Sequence, residues 1–249
     1  MNFFDFHVHS NFSDGKDSVE DIILKAIDLG LNKIGISDHS YTSFDESYCI
    51  SKENIGNYIN TVNKLKAKYA DIIDVSLGVE QDYFSSESTS EYDYVIGSVH
   101  YIKVSDNYIP VDESADILVK AADDYFAGDI YALIDAYYIT VADVVNKTKA
   151  EIIGHFDLIS KFNENGKLFN ENDERYIKSF KLAADSLLNT GAIFEINTGA
   201  ISRGYRTSPY PSNQILEYLK SKGAKFVLSS DSHDKDTLCY SFEKYLYLL

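Results

Sequence analysis

The sequence predicts an α/β fold, a distorted seven-stranded (β/α)7 TIM-like barrel. The chain has 249 residues, close to the length of about 250 residues that such a barrel needs. Strand-like and helix-like segments alternate, and the strands are nearly continuous apolar runs, as is typical of parallel strands buried on both faces. Histidines follow the ends of these runs, where parallel strands meet at one rim. The alternative is an open doubly wound sheet, which would struggle to bring both chain ends to one site.

Seven strands are predicted, each followed by a loop and most by a helix. The strands cover residues 2–9, 32–38, 72–79, 93–101, 151–155, 192–197 and 225–230. The helices cover 18–30, 52–70, 171–190 and 211–222, and two helical stretches, 113–127 and 129–147, are inserted after the fourth strand. The run from Ser18 to Asp21 resembles a capping box, which marks the start of a helix. The length of the insertion 113–147 suggests that it covers a pocket.

Composition indicates one globular domain over residues 1–249. Apolar residues make up 45% of the chain, which is enough for one well-filled core. There are only 3 prolines, and no linker-like stretch, internal repeat or low-complexity tract divides the sequence. The pattern does not indicate an oligomeric state.

Charge and cysteine content exclude several classes of protein. The net charge is −16 and there are three arginines, so the basic footprint of a nucleic-acid-binding surface is missing. Cys49 and Cys239 are too few for a disulfide scaffold, which favours reduced thiols in the cytoplasm. We expect no signal peptide, because the first residues lack a basic and apolar leader. We expect no membrane span, because no window holds 18 consecutive apolar residues.

Every histidine of the chain follows a strand-like run. His7 and His9 form an HxH on the first strand, and with a period of two both imidazoles face the same side. Asp231 and His233 form an Asp-x-His after the last strand. Ligands from the first and the last strand meet only when a barrel closes. The full set of candidate metal ligands is His7, His9, Asp14, His39, Glu80, His100, His155, Asp231 and His233.

Each of these residues also has a simpler explanation. A single histidine at a strand end is usually a polar boundary residue, and Asp14 before Gly15 would usually belong to a turn. Asp38 fits a hydrogen-bond partner of an imidazole better than it fits a ligand. The metal interpretation is preferred for the set because independent boundary histidines would also occur on helices and back-side loops. The chain has none there.

Nine groups exceed the needs of one ion and suit two or three divalent ions that share a bridging carboxylate. A site of several ions with nitrogen and oxygen ligands is typical of hydrolases, because bound water is acidified from a pKa of 15.7 to about 7. Paired ions about 3.5–4 Å apart also suit phosphate esters. Zn, Mn and Fe all fit this ligand set, and the sequence does not choose among them.

Several motifs are similar to those of the polymerase-and-histidinol-phosphatase (PHP) superfamily over the whole chain. They are the runs 6–15, 37–39, 78–80, 97–100, 154–155 and 231–233. The segments 155–162 and 195–212 resemble the histidinol-phosphatase branch. The resemblance implies a distorted seven-stranded barrel with a site for three ions. It also implies hydrolysis of L-histidinol phosphate to L-histidinol and phosphate in histidine biosynthesis.

The resemblance also implies how the ligands are shared. Glu80 would bridge the first two ions, and Asp14 stands where some superfamily phosphatases have histidine. The first ion would take His7, His9, Glu80 and Asp231, the second Glu80, His100 and His155, and the third Asp14, His39 and His233.

We expect a hydroxide that bridges the first two ions to attack phosphorus in line. Asp231 is the preferred acid for the leaving alkoxide, with His233 as the alternate. Arg203, Lys161 and Ser10 are candidate phosphate contacts, although each could equally be an ordinary loop or strand-end residue. Two positions beyond ligand-bearing strands could give aromatic faces to the organic part of the substrate: Tyr83-Phe84 and Tyr101.

Three other functions remain open from the sequence. Another small phosphate monoester, such as a sugar phosphate or a nucleotide, would need the same metal ligands. A nuclease or proofreading domain is disfavoured by the acidic charge and the three arginines. A non-catalytic metal-binding module would be expected to have lost some of the ligands, and this chain has all of the expected set.

Overall fold

The computed structural model of the protein describes residues 4–249. Seven parallel strands form one sheet, in the order β1, β2, β3, β4, β7, β8, β9. They are β1 Phe4–Asp5, β2 Lys33–Ile36, β3 Asp74–Asp82, β4 Tyr94–Ser98, β7 Ile152–Ile153, β8 Ile193–Asn197 and β9 Phe226–Ser229. Each strand therefore lies beside the next strand of the barrel along the chain, as the repeated strand–helix pattern predicted.

The first and last strands meet at their carboxyl ends. Val8 and Ser232 form an isolated parallel bridge, and the His9 amide donates to the Ser232 carbonyl at 2.8 Å. The Ser232 amide donates in turn to the His7 carbonyl at 3.2 Å. This closes the sheet into a nearly complete barrel at the rim that carries the histidines. The seven-stranded barrel is confirmed, and the open sheet is excluded.

Helices surround the barrel, and the helix cap that the sequence predicted at Ser18 is present. Ser18 accepts from the Asp21 amide and begins α1, which confirms the predicted helix start. Two large apolar clusters fill the layer between strands and helices, one under α1 and α2 and the other under α3 to α6 and α8. The helices are α1 Val19–Asp28, α2 Ile55–Tyr69, α3 Ala115–Phe126, α4 Ile130–Ala142, α5 Val144–Thr148, α6 Glu174–Leu188, α7 Gly199–Ser202 and α8 Asn213–Ser221.

The fourth predicted strand, 93–101, is wrong at its end. β4 stops at Ser98, and the chain then forms an antiparallel hairpin of β5 Tyr101–Val104 and β6 Asn107–Pro110. The hairpin leaves the barrel and carries its own apolar residues into the cluster under α3 and α4. The first predicted strand, 2–9, begins partly outside the described residues. The segment after β8 also differs, because the short helix α7 lies where a loop was expected.

The insertion 113–147 is helical as predicted, but none of residues 114–147 lines the cleft at the histidine-bearing rim. It forms α3, α4 and α5, with α4 and α5 divided at Asp143. These helices pack on the outside of the barrel, where α4 lies against α6. Their apolar faces belong to the core layer, so their length reflects packing and not a lid.

Glycines allow one large side chain to cross the barrel interior. Tyr94 passes next to Gly35 and Gly78, and a Cβ built on either glycine would lie 2.2 Å from the Tyr94 side chain. The Tyr94 hydroxyl donates to the Phe6 carbonyl at 2.6 Å. The floor of the barrel thus depends on two neighbouring strands that carry no side chain at these positions.

Two further sequence predictions can be compared with the structure. Cys49 and Cys239 are free thiols. Among residues 4–249, no helix has the length and apolar character needed to span a bilayer.

We predict that Gly78→Ala lowers the free energy of unfolding by about 1–3 kcal/mol, because the new methyl group collides with the Tyr94 ring. Urea unfolding followed by circular dichroism measures this change. Gly56→Ala is the matched control, because nothing lies within 4 Å of a Cβ at this helical position. The free energy of unfolding of that variant should rise by about 0.5–1 kcal/mol. Equal loss in both variants would contradict the packing argument.

Candidate metal centre

The HxH motif places two imidazoles side by side just after β1. Both residues are buried, and their ring centroids lie 5.0 Å apart. Because side chains alternate along an extended chain, residues two apart point to the same side, here into the rim of the barrel. The backbone bridge between Val8 and Ser232 fixes this segment directly beside Asp231 and His233.

Glu80 on β3 is the centre of the site. His155 Nε2 and His100 Nε2 lie 2.9 and 3.4 Å from its Oε1. Its Oε2 faces three further imidazole nitrogens, those of His39 Nδ1 at 2.8 Å, His7 Nε2 at 3.2 Å and His9 Nε2 at 3.5 Å. Burial opposes ionisation, but the imidazoles of His7, His39 and His100 hold the pKa of Glu80 well below its usual range.

Asp231 lies opposite Glu80, after β9, with a left-handed backbone φ of +49°. Its Oδ1 is 3.4 Å from His9 Nε2, whereas its Oδ2 accepts from Asn197 Nδ2 at 3.2 Å and from an Arg203 nitrogen at 3.0 Å. Burial opposes its ionisation, but Arg203 and the surrounding histidines hold the pKa of Asp231 well below its usual range. One oxygen thus faces the imidazoles and the other is held by the scaffold.

A third group of side chains lies nearer the surface. Asp14 Oδ2 is 3.2 Å from His233 Nε2, and Asp14 Oδ1 is 3.7 Å from His39 Nε2. The His9 ring stacks on those of His39 and His233, with centroids 4.3 and 4.1 Å apart. Burial opposes ionisation of Asp14, but His39 and His233 lower its pKa. The predicted ligand Asp14 therefore reaches the other side chains of this group.

The donor set fits divalent ions. Three groups have ligand atoms within 4.8 Å of one another: His9, Asp14, His39 and His233; His7, His9 and Glu80; and His39, Glu80 and His100. Buried atoms that face the centre have no hydrogen-bond partner among residues 4–249, namely His7 Nε2, both ring nitrogens of His9 and Glu80 Oε2. Such atoms are unfavourable in a closed protein, and coordination to a metal would satisfy them.

Two carboxylates that orient the ligands were missed by sequence reasoning. Glu195 Oε1 lies 2.6 Å from His7 Nδ1, and its Oε2 accepts from the His155 amide at 2.9 Å. Asp82 Oδ2 lies 3.2 Å from His100 Nδ1. Both residues obey the strand period of two, since Glu80 precedes Asp82 and Glu195 precedes Asn197 by two positions. That alternation of buried polar residues was the available signal.

Two predicted roles near the HxH motif are wrong. Ser10 is fully buried and its hydroxyl donates to Asp38 Oδ2 at 2.6 Å, so it does not line the cleft as a phosphate contact. Asp38 does not orient an imidazole by a hydrogen bond. Instead, it accepts from the Ser10 amide at 2.8 Å and from Ser13, and so shapes the loop that carries Asp14.

Arg203 and Lys161 lie where the sequence predicted, on the wall of a cleft of about 330 Å³ above the metal centre. Arg203 donates to the Asp231 carbonyl at 2.7 Å and to its carboxylate. Lys161 Nζ donates to the Asp112 carbonyl at 2.7 Å. Both cations are thus fixed on the wall, and Arg203 also lies 3.1 Å from His233 Nδ1.

The outer wall of the cleft is aromatic and acidic. Tyr48 packs edge-on against His39, and Tyr101 donates to Asp45 at 2.7 Å. Asp112 and Glu113 follow the hairpin on the opposite side. Of the predicted aromatic positions, Tyr101 lines the cleft but the pair 83–84 does not. Their rings instead pack against each other and, through Phe84, against the hairpin.

Comparison with known proteins decides the family. The model of the PHP domain matches residues 5–199 of this chain. The protein belongs to the PHP family. A relative from Schizosaccharomyces pombe named "Probable histidinol-phosphatase" is 30% identical over 234 residues, which cover 86% of this chain and 74% of that protein.

Two solved structures have the same fold as this PHP protein. One is a candidate histidinol phosphatase, hisK, from Listeria monocytogenes, with a TM-score of 0.84, 22% identity and coverage of 98% of this chain and 100% of that chain. The other is a histidinol phosphate phosphatase from Lactococcus lactis, solved with zinc, L-histidinol and phosphate. Its TM-score is 0.73 at 22% identity, with 98% and 91% covered.

We predict that Glu195→Gln weakens metal binding by about 10- to 100-fold, because His7 loses the anionic acceptor that orients its ring. Competition with a chelator, read by metal analysis of the recovered protein, measures the affinity. Glu217→Gln, on the exposed face of α8, makes the same chemical change away from the site and should bind metal as the unmodified protein does. Unchanged metal affinity in Glu195→Gln would show that this carboxylate does not orient His7 for metal binding.

Proposed function

We propose that this protein is a metal-dependent phosphomonoesterase that hydrolyses L-histidinol phosphate to L-histidinol and phosphate in histidine biosynthesis. The observation that carries the proposal is the buried Glu80 carboxylate, which five imidazoles surround within 3.5 Å at the base of a cleft with two cations on its wall. The name of the Schizosaccharomyces pombe relative supports this substrate. The Lactococcus lactis neighbour, solved with zinc, L-histidinol and phosphate, supports both the metal and the substrate.

The geometry supports two to three divalent ions, of zinc, manganese or iron, held by the nine predicted ligands. Glu80 presents one oxygen to His100 and His155 and the other to His7 and His9, as a carboxylate that bridges two ions would. Asp14, His39 and His233 form a further group with His9, which adjoins Glu80 because His39 Nδ1 lies 2.8 Å from its Oε2. Bound ions would supply an acidified water and neutralise charge on the phosphoryl oxygens.

The chain itself would bind and orient the phosphate. Arg203 and Lys161 are fixed cations on the cleft wall, and a phosphate monoester offers only acceptors to them. Arg203 is also tied to Asp231 and lies 3.1 Å from His233 Nδ1, so one guanidinium would link the phosphoryl group to the metal centre. A phosphate held in this way lies at the base of the cleft.

The structure changes how the two proton-transfer roles are best shared. Asp231 accepts from Asn197 and from Arg203, and both contacts favour its ionised form. An ionised carboxylate accepts protons, so we assign Asp231 to receive a proton from the attacking water. His233 lines the cleft and is partly exposed, so it is the better donor to the leaving alkoxide. The sequence had favoured Asp231 as the acid for the leaving alkoxide, with His233 as the alternate.

The outer cleft suits the organic part of this substrate. Histidinol phosphate carries an amine and an imidazole beside its phosphate ester. The aromatic rings of Tyr48 and Tyr101 and the carboxylates of Asp45, Asp112 and Glu113 lie there, and aromatic faces and carboxylates attract cations. Cations and acids on the wall of one cleft match a substrate that is anionic at one end and cationic at the other. Two free cysteines support a cytoplasmic enzyme.

We predict that kcat/KM for L-histidinol phosphate exceeds that for p-nitrophenyl phosphate, sugar phosphates and nucleotides by orders of magnitude. Phosphate release is measured with zinc, manganese or iron supplied separately. Comparable rates for all esters would retain the metal centre and remove the assigned substrate. Absence of phosphate release from every ester, in a protein shown to carry its ions, would contradict the phosphatase itself.

We further predict that Arg203→Lys lowers kcat/KM by about 10- to 100-fold, because a lysine cannot keep both hydrogen bonds to Asp231 and still contact phosphate. Steady-state kinetics with the metal-loaded protein measures the effect. Arg175→Lys is the control, since Arg175 forms an exposed pair with Asp129. The control should leave kcat/KM unchanged. An unchanged kcat/KM in Arg203→Lys would show that catalysis does not need the two-nitrogen geometry of the guanidinium.

A further inference from the structure

Tyr210 is a rigidly held residue of the cleft wall. The wall that contains it also contains Glu80, His155, Lys161 and Arg203. Its backbone pairs with the end of β8, where the Asn197 and Tyr210 amides each donate to the other residue's carbonyl at 2.8 and 2.9 Å. Its ring lies edge-on to the His155 ring, and the guanidinium carbon of Arg206 lies 4.8 Å from its centroid.

The phenol oxygen of Tyr210 is buried, yet it has no hydrogen-bond partner among residues 4–249. Other fully buried tyrosines of the described chain have partners. The Tyr137 hydroxyl donates to the Phe156 carbonyl at 3.2 Å, and the hydroxyls of Tyr138 and Tyr176 lie 3.2 Å apart. A buried hydroxyl without a partner is unfavourable, and exceptions of this kind in a native protein call for a functional explanation.

The chemistry of this hydroxyl suits an anion. Burial raises the pKa of Tyr210 well above its usual value, so the phenol stays protonated and can donate. Arg203 lies on the same wall and the Arg206 guanidinium packs on the ring, and both are cations. The hydroxyl donates to no carboxylate of the described residues, since Asp112 on this wall is bonded to Lys161, Glu80 faces the imidazoles, and the neighbouring Asp157 is paired with Arg206. A phosphoryl group carries acceptors only, and its oxygens bind neutral and cationic donors together.

We propose that Tyr210 is a substrate-binding residue that donates its phenol hydrogen to a non-bridging oxygen of the phosphoryl group, beside Lys161 and Arg203. This inference rests on the proposed phosphatase function and adds a neutral donor to its cationic phosphate site. The charge of the transferred phosphoryl group is spread over its non-bridging oxygens, so the contact would be kept through the reaction. Tyr210 would then have its partner only when substrate or phosphate is bound.

The test is Tyr210→Phe, which keeps the ring on Arg206 and His155 and removes only the hydroxyl. We expect kcat/KM for L-histidinol phosphate to fall about 10- to 100-fold, the usual loss for a hydrogen bond to a charged group. The dissociation constant of inorganic phosphate, measured by calorimetry on the metal-loaded protein, should rise by a similar factor. Metal content should not change. The Tm should be equal or higher, because an unpaired buried hydroxyl is removed.

Tyr138→Phe is the matched control. It removes a hydroxyl that is equally buried but belongs to the core, so its Tm should fall while kcat/KM and phosphate affinity stay unchanged. Three results with Tyr210→Phe would each overturn the inference. They are unchanged kcat/KM with unchanged phosphate affinity, lower kcat/KM with unchanged phosphate affinity, and a fall in Tm or metal content that marks a structural role.

The phosphate measurement separates this inference from the proposed substrate. If the unmodified protein fails to hydrolyse L-histidinol phosphate but binds inorganic phosphate, the substrate assignment fails. Weaker phosphate binding by Tyr210→Phe would then still support the role of Tyr210. If the unmodified protein hydrolyses L-histidinol phosphate and Tyr210→Phe binds phosphate equally well, only the inference about Tyr210 fails.

Discussion

The environment of one carboxylate governs the rest of this structure. Glu80 is buried, and five imidazoles from four separate segments of the chain lie within 3.5 Å of its oxygens. A buried charge is strongly unfavourable unless it is paired or bound to metal. So many nitrogen donors around one carboxylate are far more than a single charge needs. Metal ions shared among these donors explain the arrangement. The closed barrel brings the four segments together at one rim.

The alternation of side chains along the strands also places the residues that orient the metal ligands. Glu195 and Asn197 on β8 point to the same side, as do Glu80 and Asp82 on β3. Asn197 Nδ2 lies 2.9 Å from Glu195 and 3.2 Å from Asp231, so one amide joins the partner of His7 to the carboxylate of the last strand. His7, His100 and Asp231 are thus each oriented by a neighbour on a strand, which is how a metal site keeps its geometry.

The distribution of charge explains how an acidic protein can bind an anionic ester. The net charge is −16, but two of the three arginines, Arg203 and Arg206, are directed inward beside the cleft, while Arg175 is paired at the surface. The attraction for phosphate is therefore local, at short range and in a largely buried setting where it is screened little. The acidic residues that line the cleft attract the cationic amine end of a substrate.

The sequence by itself determined the barrel and its repeated strand–helix order, and it predicted the metal ligands, because apolar periodicity and histidines at strand ends are local signals. It did not reveal the β5–β6 hairpin, because the apolar run of β4 continues through Val99 into Tyr101 and Ile102, nor the burial of Ser10, whose partner Asp38 is 28 residues away. The preference for His233 over Asp231 as the acid depends on Arg203 and Asn197, and the unpaired hydroxyl of Tyr210 depends on its surroundings. Those contacts join distant segments, so only the tertiary structure decided them.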